Sequence, residues 1–105
     1  MTDLPSRRLC LRYRFEHRNL RCHGTIGFDP RSFRPCEIFL QAGKAGSEVE
    51  ALARDAAVLA SMALQHGASV ADLRAAMTRL EEGLPAGPVA HLLDIYATDM
   101  ALGMT

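Results

Sequence analysis

Along residues 8–16 apolar and polar side chains alternate, with Leu9, Leu11, Tyr13 and Phe15 on one side and Arg8, Cys10, Arg12, Arg14 and Glu16 on the other. A period of two predicts a half-buried antiparallel strand. The alternation resumes over residues 20–28, where Leu20, Cys22, Gly24, Ile26 and Phe28 share a face. For both apolar sets to lie on one side of a hairpin, the connection must hold an even number of residues. A two-residue turn at Arg18-Asn19 or a four-residue turn over 16–19 satisfies this, and asparagine tolerates the left-handed conformation such turns need. Residues 29–35 read as a surface loop. A third strand is expected over 36–41, with Cys36, Ile38 and Leu40 inward.

After Gly43 the period becomes helical. Ser47 with Glu50 has the spacing of a capping box, and Val49, Leu52, Ala56, Leu59 and Ala63 recur at three-four intervals until Gly67 supplies a stop. This stripe is the expected buried face of an alanine-rich helix that approaches the sheet closely. Ser69 with Asp72 caps a second helix with Val70, Leu73, Met77 and Leu80 on one side, ending near Gly83. The string Leu84-Pro85-Ala86-Gly87-Pro88 breaks the chain. Pro88 suits the first position of a third helix, with Val89, Leu92, Leu93, Tyr96 and Met100 inward. The expected architecture is α+β: a three-stranded antiparallel meander over 8–41, then helices over 47–66, 69–82 and 88–102 packed on one face.

The 105 residues suffice for one core and not for two. Hydrophobic residues at 49% and charged residues at 23% are the values of an ordinary soluble globular chain. The longest apolar-leaning stretch, residues 56–64, is far too short to cross a bilayer. Met1-Thr2-Asp3-Leu4-Pro5 lacks the basic and apolar regions of a secretion signal, so the cytoplasm is the expected compartment. Three cysteines, an odd number, argue for reduced thiols.

The zero net charge hides a split. Residues 1–34 carry eight arginines against three acids, a balance of +5, and residues 35–105 carry four cations against nine acids, a balance of −5. Such a split fits solvated arginines on one sheet face, a face for phosphates, a face for an acidic partner, or basic and acidic surfaces that meet within the fold or between copies.

Cys10, His17, Cys22, His23 and Cys36 all fall in the sheet half and raise the question of a metal. Neighbours Cys22 and His23 leave opposite faces of a strand, and Cys36 is expected ~20 Å along the sheet from Cys22 at roughly 3.3 Å per residue. No pair has zinc-knuckle spacing. No metal and no cofactor is therefore expected. A nucleophile elbow is absent, and no cysteine starts a helix. His66 suits the negative end of the first helix, and His91 is expected to be solvated. A self-contained enzyme is not expected, and no catalytic residue is assigned.

The candidate ligand contact is Gly43-Lys44-Ala45-Gly46-Ser47, where Lys44, Gly46 and Ser47 bring an ammonium group, free N–H groups and a hydroxyl to a helix start. A turn followed by an N-cap explains the same string. Its glycine and lysine order is not that of a Walker loop. Together with Arg12, Arg14, Arg18 and Arg21, these residues would form a surface for a nucleotide or a nucleic-acid backbone. Tyr13 and Phe15 lie opposite the arginines, which counts against stacking of single-stranded bases on them.

Several strings then coincide with a known family. Pro35-Cys36-Glu37-Ile38-Phe39-Leu40, Lys44-Ala45-Gly46-Ser47, Ala63-Leu64-Gln65-His66-Gly67, Pro85-Ala86-Gly87-Pro88 and Leu93-Asp94, in that order, resemble the TSCPD domain of cobalamin-dependent (class II) ribonucleotide reductases, found near their C-terminus and as small free-standing proteins. The likeness spans residues 5–102. The reductase chemistry needs a barrel of roughly 200 residues or more, together with a reducing cysteine pair, so no catalytic residue carries over to this chain. What the resemblance implies is a non-catalytic accessory or interaction module linked to deoxyribonucleotide or DNA metabolism. Its expected partners are a ribonucleotide reductase or another DNA-metabolism protein, a nucleotide or nucleic acid, or a second copy in a homodimer.

Overall fold

A computed structural model describes residues 9–103. Arg18 and Asn19 both adopt positive φ, 49° and 72°, and close a two-residue turn between β1 (Cys10–His17) and β2 (Leu20–Phe28). This is the shorter of the two turns compatible with the alternation, and its twist matches that of the flanking strands. The register runs from Cys10 opposite Gly27 to His17 opposite Leu20. β3 (Pro35–Ala42) pairs antiparallel with the other side of β2, from Cys22 opposite Ala42 to Gly27 opposite Glu37, with an irregularity that sets Phe28 opposite Pro35. The sheet order is β1-β2-β3, a meander, followed by helices, so the fold is α+β as the periodicity predicts. Arg8, expected to begin the first strand, lies outside the described residues.

α1 (Glu48–Gln65), α2 (Val70–Ala76) and α3 (Pro88–Gly103) follow, with a 3-10 turn at Glu81–Gly83 between the last two. Ser47 Oγ accepts from Glu50 N at 3.1 Å, which satisfies one of the free amides at the start of α1. At its end Gly67, with φ of 108°, turns the chain so that Ala68 N donates to Ala63 O at 3.0 Å and Gly67 N to Leu64 O at 3.1 Å. Ser69 and Asp72 complete a reciprocal capping box for α2.

The core lies between one sheet face and the helices: Cys22, Ile26, Phe28, Ile38, Leu40 and Ala42 below, Ala53, Ala57, Ala60, Leu64, Val89, Leu92, Leu93 and Tyr96 above. Two expectations are corrected here. The buried stripe of α1 is Ala53, Ala57, Ala60 and Leu64, whereas Leu52 and Leu59 of the expected stripe are 62% and 65% exposed and Val49 faces outward as well. Small residues win because the helix must also reach the edge of β3. There Ser61 Oγ accepts from Ile38 N at 2.8 Å, and Gln65 Nε2 donates to Cys36 O at 2.9 Å. These bonds occupy backbone groups that an edge strand would otherwise offer to another chain.

The second correction concerns the helix expected over 69–82, which stops at Ala76. Met77 is extended, with ψ of 155°, and residues 78–86 fold into a tight hairpin instead. Arg79 bridges Pro85, Leu80 N donates to Leu84 O at 2.8 Å, and Ala86 N donates to Thr78 O at 3.1 Å. Asp94 on α3 clamps this hairpin. Its carboxylate takes a bidentate pair of bonds from Arg79 and a third from Arg74 Nε at 2.8 Å, so α2, the hairpin and α3 meet at one charge. Bidentate guanidinium–carboxylate geometry is the stronger form of such a pair.

Candidate functional site

Two surfaces carry polar side chains that the core does not consume. The first is the sheet face turned away from the helices. The pleat sends Cys10, Arg12, Arg14 and Glu16 of β1 outward, and all are exposed. The register aligns them into cross-strand rows. Arg12 stands beside Thr25, which stands beside Phe39; Arg14 stands beside His23 and Gln41; Glu16 stands beside Arg21. Adjacent strands are about 4.8 Å apart, so an aromatic ring and an arginine lie about 10 Å apart across the first row.

Phe39 is 58% exposed. The alternation of β3 already turned it outward, but its position among the arginines follows only from the register. The expected opposition between arginines and aromatic residues holds for Tyr13 and Phe15, which face inward beside the core, and does not extend to Phe39.

The glycine loop adjoins this face. Gly43 N donates to Arg21 O at 3.0 Å, which sets Lys44 next to the Arg21 end of the sheet. At the loop itself much of the donor capacity is used internally. Ser47 Oγ donates to Lys44 O at 2.6 Å and accepts from Glu50 N, Ser47 N donates to Lys44 O at 3.1 Å, and Gly46 N points to Glu50 Oε1 at 3.4 Å. Glu50 is also paired with Arg54 at 2.7 Å. The backbone thus holds Lys44 one residue beyond the Gly43–Arg21 bond, while Gly46 and Ser47 shape the turn. Arg18 occupies the β1–β2 turn and lines a cleft on the helix side of β1.

That cleft is the second surface. The end of β1, the hairpin and α3 enclose it, and it contains the histidine pair that sequence reasoning missed. His17 continues the inward alternation of β1 and is only 4% exposed. Its Nε2 lies 3.2 Å from Ala86 O and its Nδ1 lies 3.0 Å from His91 Nδ1. His91 is half-buried rather than solvated as expected, with its ring centroid 4.8 Å from that of Phe15.

Hydrogen-bond logic sets the tautomers. Ala86 O can only accept, so His17 Nε2 carries a hydrogen. With that single hydrogen on His17, its Nδ1 accepts and His91 Nδ1 donates, the tautomer pair that leaves a lone pair on His91 Nε2. Burial, reinforced by the nearness of His17, holds the His91 pKa below the usual imidazole range. Further along the cleft Tyr13 Oη donates to Asp99 Oδ2 at 2.7 Å, and burial together with this bond raises the phenol pKa. Only an odd inward polar residue, His17 at the end of an apolar alternation, hinted at this cluster.

The cysteines do not converge. Cys10 is exposed, Cys36 is half-buried, and Cys22 is buried with its thiol pKa raised by desolvation. Among the described residues no three His, Cys, Asp or Glu side chains gather closely enough to hold a metal ion. No described helix is long and apolar enough to cross a membrane. Compared with known family models, curated proteins and solved structures, the chain matches none.

Proposed function

We propose that the chain is a non-catalytic binding module whose open sheet face contacts a phosphate-bearing ligand, a nucleotide or single-stranded nucleic acid. The observation that carries this reading is the exposed Phe39 set in the same cross-strand row as Arg12 and one row from Arg14, with Arg21 further along the face and the Lys44 loop bonded beside it. Guanidinium groups pair with phosphates, and an aromatic ring gives a base a stacking platform worth roughly 1–3 kcal/mol. The resemblance to the TSCPD domain supports a place in deoxyribonucleotide or DNA metabolism.

The test is a fluorescence titration with short single-stranded DNA and with nucleotides at low salt, repeated as salt rises. Binding should weaken with a slope of roughly 0.7 per neutralised phosphate on single strands. Phe39→Ala should weaken it roughly tenfold, and replacing Arg12 and Arg14 together should flatten the slope. Absence of binding at low salt would sink this reading.

The outer side of α1 favours a second one, in which a protein partner is held. Val49, Leu52 and Leu59 form an exposed apolar stripe, which suits a ribonucleotide reductase subunit, another DNA-metabolism protein, or a second copy. Recovery of such a subunit by affinity capture, lost on Leu52→Lys, supports this reading; capture unaffected by that change argues against it.

A further inference from the structure

The cleft between β1, the 78–86 hairpin and α3 has a volume of about 870 Å³, within the range that encloses small organic ligands. Its walls are mostly apolar, with Leu80, Leu84 and Ile95 prominent. Most of its polar groups are spoken for. Asp94 is saturated by Arg79 and Arg74, Asp99 holds the Tyr13 hydroxyl, and His17 is shared between Ala86 O and His91.

Two groups remain. The Arg18 guanidinium has no acceptor among the described residues, and His91 Nε2 is a lone pair with no protein donor, by the tautomer argument above. A cation and a lone acceptor over apolar walls define a complementary ligand. We propose that this cleft binds a small amphipathic carboxylate that also carries an N–H or O–H donor. The carboxylate pairs with Arg18, the donor bonds His91 Nε2, and the apolar body rests on Leu80, Leu84 and Ile95. The depressed basicity of His91 keeps that acceptor unprotonated at neutral pH. This site lies on the helix side of the sheet and is independent of the open face.

Indole-3-acetate is a suitable probe, because it has a flat apolar ring, a carboxylate and one N–H. Naphthalene-1-acetate has no N–H, and tryptamine replaces the anion with a cation. In an NMR titration of the full chain, indole-3-acetate should produce saturable shifts at cleft residues, with naphthalene-1-acetate roughly fivefold weaker for one lost hydrogen bond. Tryptamine should be roughly fivefold weaker, the upper end of the effect of one exposed charge pair.

Arg18→Asn retains a side chain that tolerates the positive φ of the turn. It should weaken indole-3-acetate roughly fivefold while the thermal midpoint stays unchanged. The proposal falls if no saturable shift appears by about 1 mM probe, if shifts map to Phe39 and Arg12 instead, or if tryptamine or Arg18→Asn binding equals the reference. Equal affinity for naphthalene-1-acetate would overturn the role of His91. A failure of DNA binding at the open face leaves every one of these readouts unaffected.

Discussion

The two long helices cover the same sheet face by opposite means. α1 presents alanines, comes close to β3, and locks its edge through Ser61 and Gln65. α3 instead drives large side chains downward, and the sheet yields space for them. A Cβ on Gly24 would stand 2.6 Å from Leu92 Cδ1, so the absence of a side chain on β2 is what admits fully buried Leu92. The rim of the α3 side also pairs side chain with side chain, His17 with His91 and Tyr13 with Asp99, where the polar contacts of α1 go to the β3 backbone. A close-packed, edge-sealed side supports the fold, and the looser polar side is where a cleft can open.

This contrast predicts opposite sensitivities. Under α3, loss of volume is the harmful change: Leu92→Ala should cost about 3 kcal/mol, read as a lowered urea midpoint, through lost burial and the cavity left behind. Under α1, gain of volume is harmful. Ala57→Leu should cost about 2 kcal/mol, since the helix cannot rise without breaking its bonds to β3. Equal tolerance of both changes would show that the two interfaces are packed alike.

Gly24→Ala sharpens the comparison. Alone it should destabilise by about 1 kcal/mol or more, and in the Leu92→Ala background most of that cost should vanish, since the clash partner is gone. Additive effects would disprove the Gly24–Leu92 fit.

Acid should expose the polar rim before the rest. Folded His91 has a pKa below its unfolded value of about 6.5, so between these values the unfolded chain binds more protons, and stability falls as pH drops through that window. Asp94 acts lower. The hydrogen bond from Arg79, ahead of other contributions, holds its carboxyl below the usual range. Its stabilisation is therefore present above about pH 4 and lost as pH falls through the folded value. His91→Gln should reduce the loss in urea midpoint between about pH 7 and pH 5 and leave the lower transition in place. An unchanged profile would remove His91 as the source.

The smallest effect is expected on the outer side of α1. Leu59→Gln should alter stability by less than about 0.5 kcal/mol, because the side chain is exposed. A large loss would mean that this stripe is covered in solution, and sedimentation would then show whether a second copy covers it.

Much of this was legible in the chain. Period-two alternation placed all three strands, and face parity restricted the hairpin to even turns. Ser47, Gly67, Ser69 and Pro88 marked helix ends that the structure keeps. The inward stripe of α1 is not legible in this way, because two apolar stripes share one helix and periodicity cannot rank them. Side-chain size favoured Leu52 and Leu59, whereas the short distance to the sheet demanded Ala53, Ala57 and Ala60. The end of the second helix is hidden for a related reason: Met77 and Leu80 fit a helical stripe, but the Arg79–Asp94 clamp favours the extended hairpin. The glycine loop was legible as a turn and cap, and the Lys44–Arg21 proximity depended on strand pairing.

Local rules of alternation, turn parity and capping thus determined the α+β class, the meander and the order of its elements, because each acts over a few neighbouring residues. Which face of α1 is buried, where α2 stops, and the placement of Phe39 among arginines were decided only by tertiary structure. So was the meeting of His17 with His91, residues 74 positions apart. These depend on distances between elements, and no local periodicity carries such distances.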